Sequence, residues 1–324
     1  MLAYFKYRPY LDARLSSRLT AKKARLERYR PLPLEAEQYL LHDLKIIQTF
    51  HSNAIEGNTL NLKETELAIE HGLTSGEHPL TDYLAAKGHG KAFDRMVVLA
   101  QSPASRLNKN IILELHALSM EGVIADAGKF RKLQVFIRGA KQSPPPAEAV
   151  PKQIREWLNW TAGKENEYDP VTLAAISHHL FEAIHPFTDG NGRVGRLILN
   201  FQLVRKGYPP ALILKDWRSG YISALQKADN GDYNPLVNIV GVATEEGLNH
   251  HLRACEKVGA TEWFLVSELA ETYTYSVDYL GWLARHGRLE ATKREGRWYS
   301  TKKAIEKYQE GLGEGKPGRK IKPG

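Results

Sequence analysis

His185–Arg196 reads HPFTDGNGRVGR, and these twelve residues decide how the rest of the chain is understood. Gly190, Gly192 and Gly195 fit G-x-G-x-x-G, and Asp216 lies about twenty residues on, the spacing of a dinucleotide-binding turn. That fold needs a strand running into the glycines. Here Ile176, Leu180 and Ile184 recur at helical spacing just ahead of them, so the βαβ context is missing. No G-x-x-x-x-G-K-[ST] occurs either. The loop is nevertheless suited to phosphate. Gly190-Asn191-Gly192 can turn successive backbone N–H groups inward. VGRLILNFQLV (194–204) then opens a helix, whose first turn has unpaired amides and a partial positive charge. Arg193 and Arg196, three apart, share a face of that turn and can fork onto phosphate oxygens. Asp189 is an oxygen ligand suited to a Mg²⁺ that bridges two phosphates, and His185, four residues earlier, can reach the same group. A plain helix–loop–helix turn would account for one glycine, but not for this whole set.

Outward from the loop, the chain reads as helix after helix. EAEQYLLHDLKIIQTFHSNAI (35–55) places Leu40, Leu44 and Ile47 at helical spacing, and Asn61 followed by Glu64 has the capping-box pattern. Helical patterns also cover 63–71, 82–100, 108–120, 150–162, 171–184, 193–205 and 218–228. RKLQVFIR (131–138) breaks the rhythm: Leu133, Val135 and Ile137 alternate ahead of Gly139 and Pro144–Pro146, which predicts a short β flap. From 262 the order changes. LVSELAETYTY (265–275) predicts a helix and a turn, and SVDYLGWLARHG (276–287) a second helix, capped by Ser276 and stopped by Gly287. RLEATKREGRWYS predicts two short strands around Lys293–Gly296, and TKKAIEKYQE a last helix. That is the order of a winged or excisionase-like DNA-binding module, with Trp263, Trp282 and Trp298 expected in its core. The resulting division is a basic N-terminal segment (1–34), a helical core (35–258), the module (259–310) and a disordered basic tail (311–324).

Composition agrees with a globular protein of about two domains. Of 324 residues, 42% are apolar and 25% charged, which excludes collagen, a disulfide scaffold and a wholly disordered chain. No apolar run approaches the length of a membrane span, and the first ten residues lack the apolar stretch of a signal peptide. The single cysteine, Cys255, cannot form an internal disulfide, so a cytoplasmic protein is expected. The net charge of +8 is uneven: residues 1–30 and 285–324 carry +7 each, leaving −6 between them. Such ends read as solvated faces or as nucleic-acid contacts, and Arg285, Arg288, Lys293, Arg294 and Arg297 could serve either. His178, His179 and His185 lack zinc-ligand spacing and a nearby cysteine, so His178 and His179 are expected to pack or to support the residues of the site from behind.

HPFTDGNGRVGR matches in full the signature of the Fic family, His-x-Phe-x-Asp/Glu-Gly-Asn-Gly-Arg-x-x-Arg. The chain resembles that family over residues 35–255, including GKFRKLQVFIRG before the signature and GYPPALI after it. The resemblance implies a mainly α fold with a Fic-type helical core, which binds ATP–Mg²⁺ and transfers AMP onto a hydroxyl of a target protein. His185 would be the general base. Asp189 would hold Mg²⁺, and the Gly190–Gly192 amides with Asn191 would form the anion hole. Arg193 and Arg196 would grip phosphates, with Val194 and Gly195 in the same nucleotide-contacting run, and Phe187 would anchor the loop in the core. The flap, with Gln134, Val135, Phe136, Ile137 and Arg138, resembles the family's β-hairpin, where a target segment docks by strand addition beside the nucleotide. Tyr221 matches a position that packs on adenine or ribose, and Asp229 falls where relatives often have an Asn facing the nucleotide.

SNAIEGN (52–58) satisfies the family's inhibitory motif, Ser/Thr-x-x-x-Glu-Gly/Asn, through Ser52, Glu56 and Gly57, on a helix expected over about 45–57. Gly57 is a helix stop, which puts Glu56 where the helix dipole disfavours an anion by about 0.3–1 kcal/mol. A carboxylate held there wants a cation, and the resemblance names it as Arg196. Glu56 would thereby also touch the nucleotide site. Two functions follow. One is an auto-inhibited adenylyltransferase acting on Ser, Thr or Tyr of target proteins or of itself, in which Glu56 could also position water to remove AMP. The other is a nucleotide-sensing transcription regulator. The partners implied are a hydroxyl-bearing target protein, a candidate DNA contact through residues 262–310 and a candidate homodimer, with no membrane.

Overall fold

The computed structural model describes residues 5–32, 34–73, 76–136, 143–257 and 259–313. The chain divides into two compact units, Met1–Lys23 with Glu37–Leu252, and Ala24–Ala36 with Arg253–Gly324. Up to residue 257 the helices are α1 (Ala13–Tyr29), α2 (Leu34–Ile55), α3 (Leu62–His71), α4 (Leu80–Gln101), α5 (Lys109–Ser119), α6 (Val150–Gly163), α7 (Pro170–Ile184), α8 (Asn191–Arg205), α9 (Arg218–Ala228) and α10 (Asn234–Lys257). The mainly α class expected from the sequence is the one observed.

Local chemistry sets the helix ends. Asn61 accepts from the Glu64 amide at 3.0 Å while Glu64 accepts from the Asn61 amide at 2.8 Å, so the capping box opens α3 as expected. Asp169 caps α7 through the Val171 and Thr172 amides, with Pro170 in the first turn, where its missing N–H costs nothing. The hairpin of α7 and α8 forms the centre of the first unit, with α4 and α5 against α8 and α6 against α7. Its core includes Phe93, Trp157, Phe181, Phe187 and Phe201, all fully buried. No described helix is long and apolar enough to cross a membrane.

The basic N-terminal segment is not set apart as the sequence suggested. It forms α1, and two of its cations converge on one carboxylate, Arg18 at 2.8 Å and Lys22 at 2.7 Å from Glu245. The Arg18 hydrogen bond, with Lys22, pulls the Glu245 carboxyl down to about 2.

The flap also departs from expectation. Residues 131–136 form no strand, Leu133 and Phe136 are exposed, and Ile137 and Arg138 lie outside the described residues. The carbonyls that a ladder would use are taken by side chains instead. Arg131 donates to the Leu133 and Pro145 carbonyls, Gln134 donates to the Pro144 carbonyl, and the prolines at 144–146 have no N–H to give.

The second unit contains β1 (Phe264–Leu265), α11 (Val266–Tyr273), α12 (Val277–Arg285), β2 (Ala291–Arg294), β3 (Arg297–Ser300) and α13 (Lys302–Gly313). The strands pair antiparallel in the order β1-β3-β2, with Phe264 opposite Ser300 and Thr292 opposite Tyr299. Ser276 caps α12 through the Tyr279 amide at 3.1 Å, as expected. The core is built on Phe264, Val266, Leu269, Leu280, Leu283, Leu289 and Ile305, with Trp298 at its edge. Trp263 and Trp282 lie outside that core: Arg294 sits over the Trp263 ring, and Trp282 stacks on His286 with Arg288 above it. Residues 311–313 continue α13 where a tail was expected, and 314–324 lie outside the described residues.

Candidate active site

The site forms where the α7–α8 hairpin turns. His185 closes α7 in the left-handed conformation (φ 49°), with its amide bonded to the Phe181 carbonyl. Its Nδ1 lies 3.2 Å from the Glu182 carbonyl, which assigns the proton to Nδ1 and leaves Nε2 as a free base. Burial pulls the imidazole below its usual range, against the Glu182 carbonyl and with help from the Arg131 charge. A neutral histidine at pH 7 follows.

Phe187 is buried beneath the turn and stacks on His116, with centroids 3.6 Å apart and planes 5° apart. Asn191 spends its side chain on this loop. Its Oδ1 accepts from the Phe187 amide at 2.9 Å and its Nδ2 donates to the Phe187 carbonyl at 3.0 Å. The side chain expected in the anion hole is therefore a brace for it. Gly190, in the left-handed conformation at the start of α8, supplies no capping side chain. The first-turn amides of α8, which no preceding turn can satisfy, are thus left to an anion. Asp189 accepts from the Gly190 amide at 2.6 Å and from Arg193 Nη2 at 3.2 Å, and its carboxylate is largely exposed. Arg193 is buried, and its Nε has no partner. A buried, orphaned cationic donor beside an exposed carboxylate suits a Mg²⁺–phosphate group.

Arg196, only 3% exposed, points the other way. Its Nε donates to Ser52 Oγ at 2.9 Å, and its Nη2 donates to the Ser52 carbonyl at 2.8 Å and to Glu56 Oε1 at 2.7 Å. Helix α2 ends at Ile55, so Glu56 is the first residue past it, and Gly57 follows at φ 98°. A Cβ at residue 192 would stand 2.2 Å from Glu56 Oε1, so only glycine there lets the carboxylate lie against α8. The motifs at 52–57 and 185–196 thus meet in one ion pair, with the Glu56 carboxylate against Gly192.

Two other residues expected at the nucleotide are bonded within the protein. Tyr221 is fully buried with its hydroxyl 2.5 Å from His178 Nε2. Asp229 is bonded to His179 Nε2 at 2.9 Å. His178 and His179 have the packing roles expected of them. Val194 and Gly195 are buried in α8, and Val135 and Phe136 lie in the irregular flap.

Residues 106–203 match the Fic/DOC family. Protein adenylyltransferase Fic of Nematostella vectensis is 32% identical over 205 residues, 63% of this chain and 48% of that protein. The protein of the same name from Drosophila willistoni is 34% identical over 253 residues, 75% of this chain and 49% of that protein. The chain spans about half the length of these relatives. Among solved structures, a Fic domain containing signalling protein from Bacteroides thetaiotaomicron has a TM-score of 0.68 at 26% identity, covering 74% of this chain and 98% of that one. Fic-1 of C. elegans has a TM-score of 0.67 at 27% identity, covering 76% and 74%. Residues 106–203 of this chain therefore carry a Fic domain.

Around the Fic motif stand residues that spacing did not reveal. His116 Nδ1 accepts from the Gly128 amide at 2.8 Å, so Nε2 carries the proton and donates to the Asp189 carbonyl at 3.0 Å. Burial holds its pKa down at about 4, which keeps that tautomer in place at neutral pH. Arg218 Nε donates to the Ile55 carbonyl at 2.7 Å, gripping the last turn of α2 just before Glu56. Both act through main-chain carbonyls, which leave no trace in sequence.

Glu182 lies behind the Fic loop, with Oε1 buried and unpartnered against Gly195. Burial raises its carboxyl to about 8, opposed by Arg196 and aided by Glu56. The folded chain therefore keeps this proton over a range in which the unfolded chain, near the ordinary Glu value of about 4.3, has lost it. The group's stability is complete below the unfolded value and is lost as pH rises through 8. Glu182→Gln should raise Tm at pH 8.5 by about 3–8 °C, from roughly 1–3 kcal/mol, while leaving it nearly unchanged at pH 4.5. Equal shifts at both pH values in a thermal melt would rule out a protonated Glu182.

Proposed function

We propose that the chain is an auto-inhibited protein adenylyltransferase, transferring AMP from ATP to a Ser, Thr or Tyr hydroxyl of a target protein or of itself. His185 Nε2 takes the hydroxyl proton as the oxygen attacks the α-phosphorus. The α-phosphate–pyrophosphate bond breaks and pyrophosphate leaves. The amides of Asn191 and Gly192 and the Arg193 guanidinium bind phosphate oxygens, and the Asn191 side chain keeps the loop in shape. Asp189 is the carboxylate that would hold Mg²⁺, which supplies neutralisation of phosphate charge when bound. Arg196 would complete the phosphate site once freed from Glu56. Removal of AMP, with Glu56 orienting water, belongs to the same reading.

The observation that carries this reading is the Arg196–Glu56 pair at 2.7 Å, seated on Gly192 within the Fic motif. The DNA-binding alternative is not favoured. Of the five basic residues that suggested it, Arg288 and Arg294 are laid on aromatic rings, and Arg294 also donates to the Arg30 carbonyl. Incubating the chain and lysate with ATP labelled at the α- or the γ-phosphate tests the reaction type. Label should enter protein from the α position alone. Incorporation from the γ position, or from neither in Glu56→Gly, would overturn the reading.

A further inference from the structure

Arg131 is 2% exposed, and no carboxylate lies within ion-pair distance of it among the described residues. A guanidinium taken out of water without a counter-ion costs several kcal/mol unless its donors are met. They are met by main-chain carbonyls drawn from three places. Nε donates to the His185 carbonyl at 2.8 Å, Nη1 to the Leu133 carbonyl at 3.0 Å and Nη2 to the Pro145 carbonyl at 2.5 Å. The residue's own amide adds a fourth bond, to the Pro186 carbonyl at 2.9 Å. One planar fork thus ties the last residue of the α7 turn to both ends of the segment between Leu133 and Pro145. Only arginine has three such donors in fixed directions, and lysine cannot reproduce the fork.

We propose that Arg131 is a positioning residue, one guanidinium that fixes the main chain of His185 and couples it to the segment that flanks the site. This rests on the reading of His185 as the base. The left-handed backbone of His185 is a conformation few side chains tolerate, and the bond to its carbonyl holds it there. The same fork brings a positive charge next to the imidazole. The groups that act on that ring are the Glu182 carbonyl from α7, Arg131 from the flap base, Glu56 from the end of α2 and Asp189 from the loop. Of these, Arg131 alone disfavours the protonated form. It therefore keeps the base ready at neutral pH as well as in place.

Two variants separate these effects, each made in a Glu56→Gly background and compared with Glu56→Gly alone. Arg131→Lys keeps the charge and loses the fork. Arg131→Met loses both at similar length. The readouts are the His185 titration by NMR of ¹³C-labelled histidines, which needs no activity, and kcat and KM for ATP across pH. Arg131→Met should raise the His185 pKa and carry the acid limb of kcat/KM upward with it. Arg131→Lys should leave that pKa in place. Both should lower kcat on the order of 10- to 100-fold with KM for ATP little changed, the signature of a displaced base. The resonances of buried His89 and His179 report whether the fold survives. If Arg131→Met does not fold, Arg131→Lys decides alone, since an undiminished kcat there overturns the proposal. So does a His185 pKa that is the same in folded Arg131→Met. If Glu56→Gly itself transfers no AMP, the adenylyltransferase reading fails, and the NMR titration still decides whether Arg131 sets the ionisation of His185.

Discussion

Glu56→Gly should raise auto-adenylylation about 10- to 30-fold. The free energy at stake is that of a charged hydrogen bond onto a buried arginine, about 1.5–3 kcal/mol. Because the Glu56 side chain is 38% exposed, solvent screens part of it, and the lower end of that range applies. A gain of about 1.5–2 kcal/mol in the competent population corresponds to the stated factor. The substitution also clears the space beside Gly192 that the carboxylate now fills. Arg196 would then retain its two bonds to Ser52, so it stays ordered while one of its donors is freed. Removing Arg196 together with Glu56 should give little activity, because the phosphate ligand goes with the brake. Label from α-labelled ATP, counted in the chain and in lysate, measures all three proteins. A Glu56→Gly chain no faster than wild type would make Glu56 an ordinary helix-end residue.

His185→Ala should cut transfer by about 10²–10⁴ while leaving ATP binding largely intact, since a positioned base contributes that much and the phosphates are held by other groups. Glu56→Gly should not rescue it, because the brake bears on the phosphate and the base on the hydroxyl. Single-turnover transfer and equilibrium nucleotide binding, measured on the same preparations, separate the two. Equal transfer by wild type and His185→Ala would remove His185 from the chemistry. The acid limb of the wild-type rate should lie below the ordinary histidine value, because burial favours the neutral ring.

The parts legible in the sequence were those whose chemistry is contiguous. A phosphate loop needs its glycines, arginines and acid within a few residues, so His185–Arg196 could be read directly. The Ser52–Glu56 pairing with Arg196 spans 140 residues or more, and it was legible only because each half carries a motif. Arg131, His116 and Arg218 were not legible, because they bind carbonyls that every residue possesses. Glu182 looked like any helical glutamate, since its protonation is a property of burial. Among the elements, α10 was missed. Its valines, isoleucine, asparagines and glycines lower helix propensity, and packing overrides that preference. Gly241 illustrates the override: a Cβ there would stand 2.6 Å from Leu11, so the residue that weakens the helix in isolation is what admits its neighbour. The flap failed in the opposite direction. Alternation promised a strand, but the carbonyls were already committed to Arg131 and Gln134.

The end of α2 is held at two carbonyls, that of Ser52 by Arg196 and that of Ile55 by Arg218, and all of these groups belong to one polypeptide. If this segment is the brake proposed above, the inhibitor is present at a fixed local concentration, however much protein the cell makes. Dilution cannot relieve it, and over-expression cannot titrate it away. Output per molecule should then be flat across expression levels. On that reading, a signal that raises it would act by loosening one short stretch of backbone, within the same molecule proposed to perform the transfer.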